Sequence, residues 1–238
     1  MDAISRLARK FSENARRKRA ELFRSFFVLG AQTRILDLGS EDGSNIHNVL
    51  AGTGVKPHNV FIADIDRHAV ESGHKRYGYT PVNIEEGSGL GFDNQVFDIV
   101  YCSSVIEHVT VPKAELWNYT NEKRFSAASW KSQKTFAAEI ARLGRQYFVQ
   151  TPCSTFPLES HTWLPFIGYL PRQMLLPVLK ISNRYWVKAA EPDFHLLDYA
   201  KMRTLFPNAQ IVLEKKYGLT KSVMAINSDR DHGNAINK

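Results

Sequence analysis

Apolar and polar positions change period several times along the chain, and each change marks an element. Over residues 3–27, Ile4, Leu7, Phe11, Ala15, Leu22, Phe23, Phe26 and Phe27 recur at helical spacing. This predicts one amphipathic helix, ended by Gly30, whose phenylalanine end docks on the body of the fold. Short apolar runs then alternate with helical patterns. "RILDL" (34–38) reads as a buried strand, followed by a glycine turn and a helix from about 44 to 50. "NVFIA" (59–63) is a second strand ending at Asp64, and 67–76 is helical. "PVNI" (81–84) is a short third strand, "VFDIVY" (96–101) a fourth, and 103–109 begin another helix.

Residues 110–130 are polar and aromatic and read as irregular or weakly helical; 131–143 read as a helix and "QYFVQ" (146–150) as a fifth strand. Pro152, Pro157, Pro165, Pro171 and Pro177 punctuate 151–180 among Phe156, Trp163, Phe166, Ile167, Tyr169 and Leu170. Such a proline-broken segment argues against a long helix or a central strand, and predicts an inserted lid or substrate wall. A helix at 198–205 precedes "AQIVLE" (209–214) and "KSVMAI" (221–226), which join around Gly218 as an antiparallel hairpin. A polar tail closes the chain. Strands alternating with helices give an α/β class, a doubly wound parallel sheet with helices on both faces and right-handed crossovers.

Composition adds bounds. The 238 residues are 43% hydrophobic and 23% charged, which suits one larger globular domain. Cys102 and Cys153 are the only cysteines, too few for a disulfide framework, so a cytoplasmic protein is expected. No apolar run reaches the roughly 18 residues of a membrane span. The N-terminus lacks the apolar core of a secretory signal, and Asp2, Glu13 and Glu21 count against a transit peptide. The formal charge of +7 is uneven, with Arg6, Arg9, Lys10, Arg16, Arg17, Lys18, Arg19 and Arg24 in the first helix. A solvated helix face explains this as well as any partner does. The alternatives are an anionic acceptor, peripheral contact with a membrane through this helix, or RNA. RNA is the weakest, since no RNA-binding signature accompanies the patch.

The candidate chemistry starts in "RILDLGSEDG". A strand, a glycine turn and a helix N-terminus present backbone N–H groups to a ligand. Glu41 occupies the position of the middle glycine of a dinucleotide loop, and repulsion between close charges is of order 1 kcal/mol even when solvated. Asp37, Glu41 and Asp42 instead suit a cationic ligand such as S-adenosylmethionine, which carries a sulfonium, an ammonium and no phosphate. Helix capping and surface acids remain an equal explanation for Glu41 and Asp42. Asp64, at the end of the second strand, can accept from both ribose hydroxyls, with Asp66 better placed to cap the next helix.

With "FIADID", "GSGLGFDNQVFDIVYCSSVIEHV", "ARLGRQYFVQTP" and the final hairpin, this loop resembles the class I S-adenosylmethionine-dependent methyltransferases over about residues 33–227. The resemblance implies a Rossmann-like seven-stranded sheet with an antiparallel last strand. It places the methyltransferase domain at 31–228, the basic helix at 1–30, the variable acceptor or lid segments at 110–130 and 151–195, and a tail at 229–238. It also implies the cofactor S-adenosyl-L-methionine. Asp37, Gly39, Ser40 and Gly43 would lie under its methionine part, with Asp64 on the ribose and Ile65 on the adenine face. Glu86 and Gly87 would meet the adenine edge, and Cys102 and Ser103 would offer backbone to the methionine part. Glu41 departs from the family's usual glycine and bears on the loop conformation.

Methyl transfer is an in-line displacement, for which positioning supplies most of the acceleration. A hydroxyl acceptor also benefits from a general base. Glu107 and His108 follow the fourth strand at the ligand-bearing edge, and "EHV" resembles a subgroup rich in O-methyltransferases. Glu159 and His161 follow the fifth strand, and His195 ranks third, each with packing or lid hydrogen bonding as its plain alternative. No pair has metal-ligand spacing, and no metal is expected. The expected acceptor is a sugar, glycan or small metabolite. The alternatives are an RNA-modifying enzyme or a non-enzymatic binding protein on the same fold.

Overall fold

The computed structural model describes residues 3–85, 89–159, 161–186 and 188–230, with side chains from residue 13 onward. Helix α1 spans Ala3–Phe26, then β1 (Ile35–Leu38), α2 (Ser44–Val49), β2 (Val60–Asp64), α3 (Arg67–Tyr77), β3 (Thr80–Asn83) and β4 (Phe97–Ser103). Next come α4 (Glu122–Leu143), β5 (Gly144–Pro152), α5 (Arg172–Tyr185), α6 (Tyr199–Leu205), β6 (Gln210–Lys216) and β7 (Leu219–Asn227). The strands form one seven-stranded sheet in the order β3-β2-β1-β4-β5-β7-β6. β1 pairs in parallel with β2 and β4, β2 in parallel with β3, and β6 antiparallel with β7, as expected for a Rossmann-like sheet closed by a hairpin. Tyr217 and Gly218, both at positive φ, make that hairpin's two-residue turn.

The chain divides into two compact units: 1–102 with 142–148 and 227–238, and 103–141 with 149–226. In the first, the phenylalanine end of α1 docks as its spacing predicts. Phe23, Phe26 and Phe27 are buried. Phe23 packs edge-on against Tyr101, which stacks on Phe148 at 5.5 Å. In the second unit, Ile167, Leu175, Leu179 and Phe194 form a buried cluster with Trp117, Leu164, Leu170 and Leu196 around it.

Three expectations are corrected. Residues 103–109 do not begin a helix; only a 3-10 turn, Ile106–His108, follows β4. α4 starts at Glu122, because the alanines of "SAASWKSQ" favour a helix that their weak apolar periodicity hides. The proline-rich segment does contain a helix, α5, with Pro177 inside it. Pro177 and Gln173, whose carbonyl loses its intrahelical partner, both face solvent, so water can satisfy that carbonyl.

Candidate active site

In the first unit the loop after β1 sorts its carboxylates into different roles. Gly39 and Gly43 adopt left-handed φ of 77° and 71°, and a side chain at Gly43 would meet Ile62 Cγ2 at 3.0 Å. The Gly39 N–H donates to the Ala63 carbonyl (2.8 Å), which pins the loop to β2. The Glu41 N–H donates to Asp64 Oδ2 (2.8 Å), and the Asp66 N–H to Asp64 Oδ1 (3.0 Å). The Glu41 backbone is left-handed and its side chain exposed. Asp42 accepts from the Ser44 N–H at the start of α2 (3.0 Å), the capping role weighed for it. Asp66 accepts from Ala69 at the start of α3, as expected. Asp37 is different. It is 3% exposed and its Oδ2 has no hydrogen-bond partner, nor has the buried Ser40 Oγ. Burial, with the charge of Asp64 behind it, pushes the Asp37 carboxyl well above the ordinary value.

The second unit collects the candidate catalytic side chains. Glu107, in the turn after β4, is 0% exposed. Its Oε2 accepts from Thr151 Oγ1 (2.9 Å), while its Oε1 has no hydrogen bond and lies 3.7 Å from His161 Nε2. His161 Nδ1 meets Glu159 Oε1 at 2.5 Å. Glu159 also accepts from the N–H groups of His161 and Thr162 and from Thr162 Oγ1, so a tight turn builds its pocket. Burial disfavours both charges; for His161 the neighbouring Glu107 and then Glu159 outweigh it, and for Glu159 the His161 ring and N–H and then Thr162 do. Glu159 is held down to about 2 and His161 raised to about 9. His108 packs edge-on against His161 at 4.5 Å, and its Nδ1 sits 3.0 Å from Asp193 Oδ2, an ion-pair distance whose angle falls short of a hydrogen bond. One ligand atom from each of Glu107, His108 and His161 lies within 4.8 Å of the others.

His195 has a different task. Its N–H donates to the Glu107 carbonyl (2.8 Å), and its ring lies between Ser126 Oγ (3.0 Å) and the buried Gln133 Oε1 (2.8 Å). Burial, and then the charge of Lys201, push its pKa down to about 4. A neutral imidazole locked at both nitrogens is a packing and positioning group, the plain alternative given for it.

Residues 36–119 match a family model described as a methyltransferase domain. This match, together with the fold, supports a class I, S-adenosylmethionine-dependent methyltransferase. The magnesium protoporphyrin IX methyltransferase of Synechocystis PCC 6803 with bound SAH is structurally similar, with a TM-score of 0.53 at 15% identity over 96% of this chain and 89% of that one. A chain from the complex of the Haloferax volcanii Trm112 methyltransferase activator also gives 0.53, at 11% identity over 96% of this chain and 98% of that one. So does a Rhodobacter sphaeroides chain assigned as a Zn-dependent alcohol dehydrogenase, at 11% identity over 85% of each. At these identities the likeness speaks to the fold. No curated protein matches the chain.

The methyltransferase loop fits its cofactor. The orphaned Asp37 Oδ2 and Ser40 Oγ are buried polar atoms that a ligand ammonium and carboxylate would satisfy. Asp64 keeps lone pairs for ribose hydroxyls beyond its two backbone bonds. Ile65, next to it, is 49% exposed, an apolar face suited to adenine. Cys102 is buried within β4, and Ser103 Oγ donates to Gln150 Oε1 (2.7 Å). Glu86 and Gly87 lie outside the described residues. Thr151, Gln133, Asp193 and Arg172 carry the second unit's network without a sequence signal. Arg172 is 1% exposed and donates to the carbonyls of Leu116, Tyr119 and Pro192.

Proposed function

We propose that this methyltransferase transfers the methyl group of S-adenosylmethionine to a hydroxyl on a sugar, glycan or small metabolite. The observation that carries this reading is the cluster of Glu107, His108, Glu159 and His161, in which two imidazoles each face a carboxylate. A nitrogen or carbon nucleophile has less need of such a cluster; a neutral hydroxyl is a poor nucleophile until its proton is drawn away. His108 is the member with the most exposed side chain, at 32%, and is the leading residue for contact with the acceptor.

Radiolabelled S-adenosylmethionine incubated with the protein and fractionated extract tests the reading. Label in glycans or small metabolites as a base-stable methyl ether, lost in His108→Ala, supports it. Label in RNA, with a steep salt dependence removed by deleting α1, would replace it with an RNA-modifying enzyme. S-adenosylhomocysteine binding without transfer to any fraction would leave a binding protein on the same fold.

We place the protein in the cytoplasm with peripheral membrane contact. Among the described residues no helix is long and apolar enough to cross a membrane. Met174, Val178, Ile181 and Tyr185 line one side of α5 and are exposed, and α1 exposes Arg16, Arg17 and Lys18. Flotation with anionic vesicles, compared with Ile181→Glu, checks this contact.

A further inference from the structure

Polar neighbours hold Glu107, His108 and His161, and one donor atom of each lies within 4.8 Å of the others. Thr151 holds Glu107 through Oε2, and Glu107 Oε1 points inward with no hydrogen bond although the residue is fully buried. Glu159 holds His161 through Nδ1, which leaves Nε2 facing Glu107 Oε1 across 3.7 Å. That gap is too long for a hydrogen bond. It is close to the separation of about 3.0–3.5 Å between two ligands that each sit about 2.0–2.2 Å from one ion. His108 brings a third donor within 4.8 Å, with Asp193 beside its Nδ1. Each imidazole thus faces a carboxylate of its own, the arrangement that fixes ring orientation and raises basicity in metal-ligating histidines.

We propose that Glu107, His108 and His161 bind a divalent transition-metal ion and leave it open positions for the acceptor. Two imidazole nitrogens and one carboxylate oxygen select an ion such as Zn²⁺ or Fe²⁺ over Mg²⁺, which prefers oxygen ligands. Closing on the ion needs side-chain movements of about 1 Å in the wider pair. The metal's role rests on the hydroxyl-acceptor reading given above; its binding does not. An acceptor hydroxyl in an open position becomes more acidic and releases its proton to solvent water. Its oxygen forms the new bond to the methyl carbon as the carbon–sulfur bond breaks, and sulfur keeps the electron pair. The products are the methyl ether, S-adenosylhomocysteine and the released proton.

The test uses the full chain, stripped with a chelator and dialysed, and is read without acceptor or cofactor. Calorimetric titration with Zn²⁺ is expected to show one equivalent bound at micromolar affinity or tighter. Binding should disappear in Glu107→Gln and in His161→Ala, and Co²⁺ substitution should give d–d absorption bands in the wild type and not in these two variants. Glu159→Gln and Asp193→Asn, which keep all three ligands, should weaken binding about 10–100-fold. These two variants keep the proposal testable if substitution of the buried Glu107 disturbs folding. No stoichiometric binding by the wild type, or binding unchanged across the Glu107, His161 and Glu159 variants, overturns the site. Metal binding without methylation of any hydroxyl overturns the acceptor reading and leaves the site standing. Loss of S-adenosylhomocysteine binding reports separately on the cofactor loop.

Discussion

Asp37→Asn should loosen the cofactor and tighten the fold. In the free protein Asp37 is buried, its Oδ2 is orphaned, and burial and Asp64 hold its carboxyl well above the ordinary carboxylate value. A cationic ammonium placed against it reverses both effects: the carboxylate ionises and gains a charge-assisted hydrogen bond. Such a bond contributes about 1.5–3 kcal/mol, so the asparagine variant should lose roughly 10- to 150-fold in affinity for S-adenosylhomocysteine.

The same carboxyl sets a pH dependence with a definite sign. Below its raised pKa the free protein carries a proton that binding must expel, so wild-type affinity should climb with pH by up to about tenfold per unit. It should level off above that pKa. Calorimetry between pH 5 and 6.5 keeps the ligand's amine, of ordinary pKa about 7.7–8.0, almost wholly protonated. Two buffers of different ionisation heat then count the released proton directly. For the free fold the sign is opposite: the native state holds this proton more tightly than the unfolded chain. Ionisation of Asp37 therefore costs stability as pH rises from the unfolded value toward the raised one, and the variant should melt higher at neutral pH. An unchanged Kd, a flat wild-type profile or a buffer-independent heat would refute the placement of Asp37 against the ligand's cation.

Three further outcomes follow from buried contacts. Arg172→Leu orphans the carbonyls of Leu116, Tyr119 and Pro192 and removes a guanidinium stacked 3.6 Å from the Phe125 ring centroid. It should cost about 3–5 kcal/mol, or roughly 6–20 °C in thermal melting; a loss under about 2 °C counts against it. His195, neutral in the fold with a pKa of about 4, stabilises the protein above its unfolded value of about 6.5 and loses that contribution as pH falls between the two. The unfolding free energy from urea titration should fall further between pH 7 and pH 4.5 for wild type than for His195→Gln, by roughly 2 kcal/mol, and equal falls refute it. Gly73→Ala would normally favour a helix by about 1 kcal/mol. Here the new Cβ meets the Asp42 carbonyl oxygen at 2.4 Å, so melting should drop and cofactor binding weaken, and a higher melting temperature would show that α3 does not pack so tightly on the loop.

The two units were not equally legible in the sequence. The first is built of local signals. Strand runs that carry Asp37 and Asp64 near their C-terminal ends, glycines at left-handed positions and Asp66 three residues before Ala69 each announce their role within a few positions. The second is built of long-range ones. Glu107 is held by Thr151, Gln133 joins the carbonyls of Ile106 and His195, and Arg172 reaches Leu116 and Pro192. None of these pairs has a spacing that a helix or strand period would reveal. For the same reason Glu107, His108 and His161 show no ligand spacing along the chain, although the fold brings their donor atoms together.

That difference also explains why the acids of the opening loop needed the structure to be sorted. All four carboxylates of the loop and β2 fit a cationic ligand by type, and type is what a sequence displays. Hydrogen bonding separates them. Asp42 is committed to the start of α2, and Glu41 lends only its backbone, to Asp64. Asp64 is positioned by two N–H donors yet keeps acceptor capacity for a ligand. Asp37 alone combines burial with an orphaned oxygen. An unpaired buried carboxyl costs stability in the free fold, and a ligand cation would recover it on binding. The same logic holds at Glu107, among the described residues another buried carboxylate with an oxygen that lacks a hydrogen bond. There the neighbouring donors are imidazoles, and the group that would complete the site is a metal ion.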